Sequence, residues 1–198
     1  MGVLDLQISA GADDVRHSST DVITQAICAA GQSGGEIFGS AMRFIDVVVP
    51  AGAIFTVAYL TFTPDFTESG HTFSSSFWAH AADNSPQIIT DANWHAIVDA
   101  NLTATSVATG DLGTWTDDVE EQSPSLVSLF QEMVDNGYLD SEVAHIIWLD
   151  TGSTNGALRS AHQVEDSAAK ATKLHLEWVA AGAVTLQPTG GLGDHVVY

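Results

Sequence analysis

Arg43 to Pro64 reads RFIDVVVPAGAIFTVAYLTFTP, and how this stretch folds decides the architecture. Its first half, Phe44 to Val49, is dense in β-branched residues, which suit a pleated and mostly buried surface. Pro50 has no N–H to give to a ladder and should stop the strand, and Gly52 supplies a turn conformation. In the second half Phe55, Val57, Tyr59 and Thr61 point one way, and Thr56, Ala58, Leu60 and Phe62 the other. Neither face is strongly polar, so the expectation is strand, Pro-Ala-Gly turn, strand, inside a two-sheet stack that Pro64 closes.

Working outward, the pattern predicts short strands over Val3–Ser9, Thr72–Ala82, Val143–Leu149, Leu158–Val164 and Lys173–Val179. Val22–Ala30 is ambiguous between strand and helix and is read as strand, and Ile37–Met42 leads into the Arg43 strand. Asn84 to Asp91, with Pro86, reads as loop. One helix is predicted: Ser123 as N-cap, Pro124 in the first turn, an apolar stripe of Leu126, Leu129, Phe130, Met133 and Val134, and Gly137 as the stop. Many short strands with a single short helix make an all-β sandwich over residues 1–179. From Ala180 the chain turns Gly-rich, which predicts a C-terminal tail or docking arm over 180–198.

The charge is unusual: 25 Asp and Glu against 5 Lys and Arg, a formal net charge of −20. Three readings compete. A surface adapted to molar salt would be screened there over roughly 3 Å. Calcium sites would use some of the acids. An acidic disordered segment needs a block of like charge, whereas these acids are dispersed through apolar sequence. High salt is the preferred reading, with calcium compatible. Clustered Lys and Arg are missing, so nucleic acid and anionic membrane are not expected as partners. Cys28 is the single cysteine, in an apolar run, and reads as a small core residue. The N-terminal MGVLDLQISAG has neither a basic n-region nor a long apolar core, so a signal peptide is not expected.

The order of motifs resembles a known family. RFIDVVVPAGAIF at Arg43–Phe55 is similar to RF-x-x-V-x-x-P-x-G-A-x-I, with Phe55 in the Ile position. AYLTF follows at Ala58–Phe62, then SPSLVSLFQEMVDNG after Trp115, and a closing KLHLEW at Lys173–Trp178. Together, over Val3 to Val179, these resemble the DNRLRE-type, carbohydrate-binding-module-like β-sandwiches of secreted and cell-surface proteins and of tailed-virus structural proteins. The resemblance implies a two-sheet jelly roll, and it makes structural calcium worth considering, with no cofactor required. The candidate ligands are Asp13, Asp14, Asp83, Asp150 with its Thr151–Asn155 loop, and Glu165–Asp166. The preferred site is Asp13/Asp14 with a loop acid from the other end of the chain, although no EF-hand pattern occurs.

No H-E-x-x-H or Cys/His cluster occurs among the scattered histidines, so a zinc site is not expected; no G-x-S-x-G occurs and 25 acids make any one carboxylate pair uninformative, so catalysis is not expected either. Trp94 and Trp115 flank loops and are the candidates for stacking on a sugar, with core packing as the bland alternative. Arg43 and Arg159 open strands in a chain poor in cations and should make structural ion pairs. Two functional readings remain. One is a virion surface structural protein in brine (a capsid decoration, turret or spike subunit) from a virus of a salt-loving, haloarchaeal-type host. It would assemble with itself and with capsid proteins. The other is an extracellular adhesin or carbohydrate-binding module for a host-surface glycan.

Overall fold

The computed structural model describes residues 1–20, 23–24, 27–110 and 112–182. Their strands are β1 (Gly2–Gln7), β2 (Asp14–Ser18), β3 (Ile23–Thr24), β4 (Ile27–Ser33), β5 (Glu36–Phe44), β6 (Ile54–Phe62), β7 (Ser75–Ala79), β8 (Val107–Ala108), β9 (Glu121–Gln122), β10 (Ala144–Asp150), β11 (Leu158–His162) and β12 (Lys173–Val179). Three helices join them: α1 (Asp91–Val98), α2 (Val127–Asp135) and α3 (Val164–Ser167). The smaller sheet has the order β1-β12-β6-β9. The larger runs β11-β4-β5-β10-β7-β8, with β2 beside β5 and β3 beside β2. Every pairing is antiparallel.

Leaving out β2, β3, β4 and β11, eight strands remain. Ranked along the chain, the smaller sheet reads first, eighth, third, sixth; the larger reads second, seventh, fourth, fifth. This is the jelly-roll order of two interlocked Greek keys.

The stretch that decides the fold does so differently from the hairpin expected of it. β5 ends at Phe44, and β6 lies in the opposite sheet, so the two strands never pair. Residues 45–53 instead carry the chain from one sheet to the other, a spacing of about 10 Å. Asp46 takes a positive φ of 61°, which bends the chain out of strand geometry. Val47 then drops into the core and its N–H bonds to Glu142 O at 2.8 Å, while Ile45 and Val48 stay exposed. Gly52, at φ 69°, makes the turn after Pro50, where Ala53 N bonds Pro50 O at 3.0 Å.

The main core lies between the sheets. Trp148 sits centrally, with ring centroids 5.2 Å from Phe62, 5.4 Å from Phe77 and 5.8 Å from Trp115. Its indole Nε1 donates to Ser75 Oγ at 2.7 Å, which satisfies the one polar group it buries. A second apolar cluster covers the far face of the larger sheet: Val15, Ala41, Ile147, Ile88, Trp94 and Ile97. The last two come from α1, so the expected single helix becomes three. Thr90 caps α1 by accepting Asn93 N at 3.2 Å, inside a segment whose Asn and Pro suggest only loop.

α2 keeps its stripe, and Gly137 (φ 72°) ends it in a Schellman turn, Tyr138 N to Met133 O at 2.8 Å and Gly137 N to Val134 O at 3.3 Å. Its start is corrected. The helix begins at Val127, because Ser123 is held along β6, accepting from Leu60 N at 3.0 Å and donating to Pro124 O. β12 spans Lys173–Val179, the bounds expected for that strand. Most of the predicted tail, 183–198, lies outside the described residues.

Candidate functional site

Asp13 and Asp14 are neighbours that serve different places. Asp13 ends a short 3-10 turn and accepts from Arg43 Nη1 at 2.8 Å and Gln87 Nε2 at 3.1 Å, so it is held by a cation of the protein itself. Asp14 opens β2 and is fully buried. Its Oδ2 accepts Val164 N at 3.0 Å, and its Oδ1 has no hydrogen-bond partner. Burial, with the carboxylates of Glu165 and Asp13 adding to it, pushes the Asp14 pKa up to about 8.

The chain near Asp14 comes from the far end of the sequence. Glu165 folds its carboxylate over Gly11, in the place that a Cβ there would take. Gln163 is buried with both amide atoms unpartnered, and Thr172 is buried with its hydroxyl unpartnered. A lone buried carboxylate oxygen with a second carboxylate nearby is the kind of oxygen pair a hard cation takes. Asp14 and Glu165 are therefore the residues of this region that could hold calcium. Asp13 is not free to join them.

The other acids are each occupied, and the structure does not bring them together. Asp83 accepts Ser141 N at 2.7 Å and Ser141 Oγ at 2.6 Å, a loop tie that holds its pKa below the usual range. Asp150 caps its own turn through Gly152 N and Ser153 N at 3.1 and 3.0 Å. Asp166 pairs with His162 Nδ1, and His162 also reaches Asp118 at 3.2 Å.

Both tryptophans proposed as stacking platforms are buried, Trp94 to 4% and Trp115 to 2% exposure. Trp94, on the buried side of α1, lies flat against His17 at 4.6 Å, and Trp115 belongs to the main core beside Phe62 and Trp148. A half-exposed aromatic occurs elsewhere, on the outer face of the smaller sheet. Tyr59 stacks on His175 at 4.9 Å, in a groove of about 260 Å³ lined also by Asp5, Gln7, Thr61 and Lys173. His175 Nδ1 meets Asp5 Oδ1 at 2.6 Å, and this contact, helped by Glu177, raises the His175 pKa. The sequence signal was available, since Tyr59 and His175 fall opposite each other once β6 and β12 are paired.

Arg43 ties the 3-10 turn before β2 to the loop before α1. Its Nε donates to Ser85 O at 2.7 Å while its Nη1 holds Asp13. Arg159 lies over the Phe73 ring at 5.0 Å and donates to the carbonyls of Leu158 and Gly113. Glu68 is its neighbouring carboxylate; burial pushes the Glu68 pKa up to about 8 even though Ser160 N and Arg159 favour the charged form.

Sequence reading missed one further group. Ser85 Oγ lies between His80 Nδ1 at 2.7 Å and His145 Nδ1 at 2.8 Å, all of it buried. A serine beside imidazole can serve as a nucleophile. Here burial pushes the His145 pKa down to about 3, which makes it a weak base, and Ser85 has no surface through which to meet a substrate. The group serves as an internal polar clasp. No protein-family model matches this chain, and no curated protein matches it either. The geometry alone carries the functional reading.

Proposed function

We propose that this chain is a non-enzymatic structural protein of a virion exterior, a capsid decoration, turret or spike subunit working in brine. The observation that carries this reading is the placement of charge on a jelly roll. All 5 Lys and Arg are engaged: Arg43 with Asp13, Arg16 over Phe38, Arg159 over Phe73, Lys170 with Asp118 and Lys173 with Glu120. The 25 acids far outnumber these cations, and the mutual repulsion of the exposed ones is what concentrated salt screens. Jelly rolls build both capsids and lectins, and the sandwich faces give such a module broad surfaces for assembly. Its partners would be copies of itself and capsid proteins. Calcium at Asp14 would be a structural brace.

Sedimentation in about 2 M salt, chosen because screening is then within roughly 3 Å, tests the reading. A defined oligomer is expected; a strict monomer across the concentration range contradicts it. Loss of near-UV circular dichroism below about 0.5 M salt is expected as well. A fold equally stable in dilute buffer would remove the brine part of the proposal.

The Tyr59–His175 groove favours a second reading, binding of a host-surface glycan, because a half-exposed ring flanked by Asp5, Gln7 and Thr61 offers both a stacking face and hydrogen bonds. Retention on immobilised polysaccharides, abolished by Tyr59→Ala in an otherwise monomeric protein, would favour it over assembly.

A further inference from the structure

α1 brings two of its side chains to one residue of β2. Asp91 and His95 lie one turn apart on the same helix face. His17 reaches them from β2, with Nε2 2.7 Å from Asp91 Oδ1, while His95 Nε2 lies 3.4 Å from the same oxygen. One ligating atom from each of the three residues falls within 4.8 Å of the others. A tetrahedral ion with ligand bonds of about 2.0–2.1 Å needs its ligands about 3.3 Å apart, so small side-chain rotations would seat one.

The surroundings orient these groups. His95 Nδ1 meets Asp99 Oδ2 at 3.0 Å, so the carboxylate holds one ring nitrogen and turns the other toward Asp91. A carboxylate behind an imidazole is the usual support of a metal-binding histidine. His17 is fixed by stacking on Trp94, with planes 6° apart, and by an edge contact with His95 at 5.5 Å. Gly39, paired with His17 across β2 and β5, lets α1 approach: a Cβ there would meet Leu149 Cδ2 at 2.8 Å and Trp94 at 3.3 Å. His17 is buried, whereas Asp91 and His95 reach solvent, and a cleft of about 240 Å³ opens beside His17 and Trp94.

We propose that His17, Asp91 and His95 form a site for a borderline divalent transition-metal ion of the Zn²⁺ class, bound by two imidazoles and one carboxylate. The nitrogen-rich set separates it from the oxygen-only group at Asp14, which suits a hard cation. Three protein ligands with a solvent-facing side leave a coordination position for water or for a group from another molecule. The ion would also pin α1 to β2, across the second core.

The full chain, stripped with a chelator and dialysed into about 1 M salt, is titrated with Co²⁺ by visible absorption and with Zn²⁺ by calorimetry. One ion per chain is expected, with Zn²⁺ displacing Co²⁺ and excess Ca²⁺ displacing neither. His95→Ala and Asp91→Asn, at partly exposed positions, should each weaken binding at least tenfold, and Asp99→Asn by a smaller factor. Circular dichroism confirms that each variant is folded. No saturation up to about 1 mM metal, or saturable binding that neither His95→Ala nor Asp91→Asn weakens, overturns the proposal.

Discussion

The two sheets bury themselves in opposite ways. In the smaller sheet β12 alternates strictly: Leu174, Leu176 and Trp178 enter the core, and Lys173, His175 and Glu177 face outward. In the larger sheet β10 is buried continuously from Ala144 to Trp148, because Ile146 and Trp148 meet the main core while Ile147 meets the cluster under α1. A strand with one wet face displays its orientation in its sequence; a strand covered on both faces reads as an unbroken apolar run. Such a run therefore announces a missing second layer, and here α1 supplies it.

The largest expected effects test whether that second layer is a true core. Trp148→Ala should cost about 4 kcal/mol and Ile147→Ala about 3 kcal/mol in denaturant unfolding at high salt. A cost below about 1 kcal/mol for Ile147→Ala would mean that α1 rests loosely on the sheet. Asp13→Asn strands the Arg43 guanidinium between the layers and should cost about 2–3 kcal/mol.

Titration reads the buried groups of the larger sheet apart from the near-surface pair of the smaller one. His145, in β10, has its folded pKa pushed from 6.5 down to about 3, so the unfolded chain binds the extra proton and stability is lost as pH falls below 6.5. On the order of a few kcal/mol should go between pH 6.5 and 3, and His145→Gln should flatten that part of the profile. Glu68, also at the larger sheet, runs the other way. Its folded pKa is raised from 4.5 to about 8, so its contribution is full below 4.5 and lost as pH climbs through 8. Glu68→Gln should accordingly stabilise above pH 8 and change little near pH 4.

On the smaller sheet His175 has a raised pKa. Its contribution is present below 6.5 and disappears as pH rises through the folded value, a modest effect because the group is near solvent. The smallest expected change is Val3→Thr on the exposed face of β1, within about 0.5 kcal/mol. A larger loss at high protein concentration, absent on dilution, would mark that face as an assembly contact.

Legibility followed the same divide. β12 is readable residue by residue because its alternation meets one core, and the α2 stripe is readable because it too meets one core. α1 was hidden although its signals are local: Thr90 as cap and Trp94, Ile97 and Val98 at helical spacing, placed just after Asn84 and Pro86. Ser123 misled because β6 competes for its hydroxyl. Among the candidate ligands, Asp14 and a C-terminal acid were accessible to sequence reasoning. The diversion of Asp13 to Arg43 was not, since both adjacent acids look alike until the strand sends them in different directions.

The sequence by itself determined most of the longer strands, the end of α2, the sandwich and its extreme acidity, because each of these depends on local pattern or on composition; β2, which no local pattern announces, is a strand through its pairing with β5. Only the tertiary structure decided what Arg43 to Pro64 does. Its two apolar halves suit a hairpin and a crossover equally well, and the choice lies in Asp46 turning the chain and Val47 filling the gap between sheets. The same holds for Asp14 with Val164 and for His17 with Asp91 and His95. These groups are separated along the chain by far more than any local pattern can register, and closure of the jelly roll brings them together.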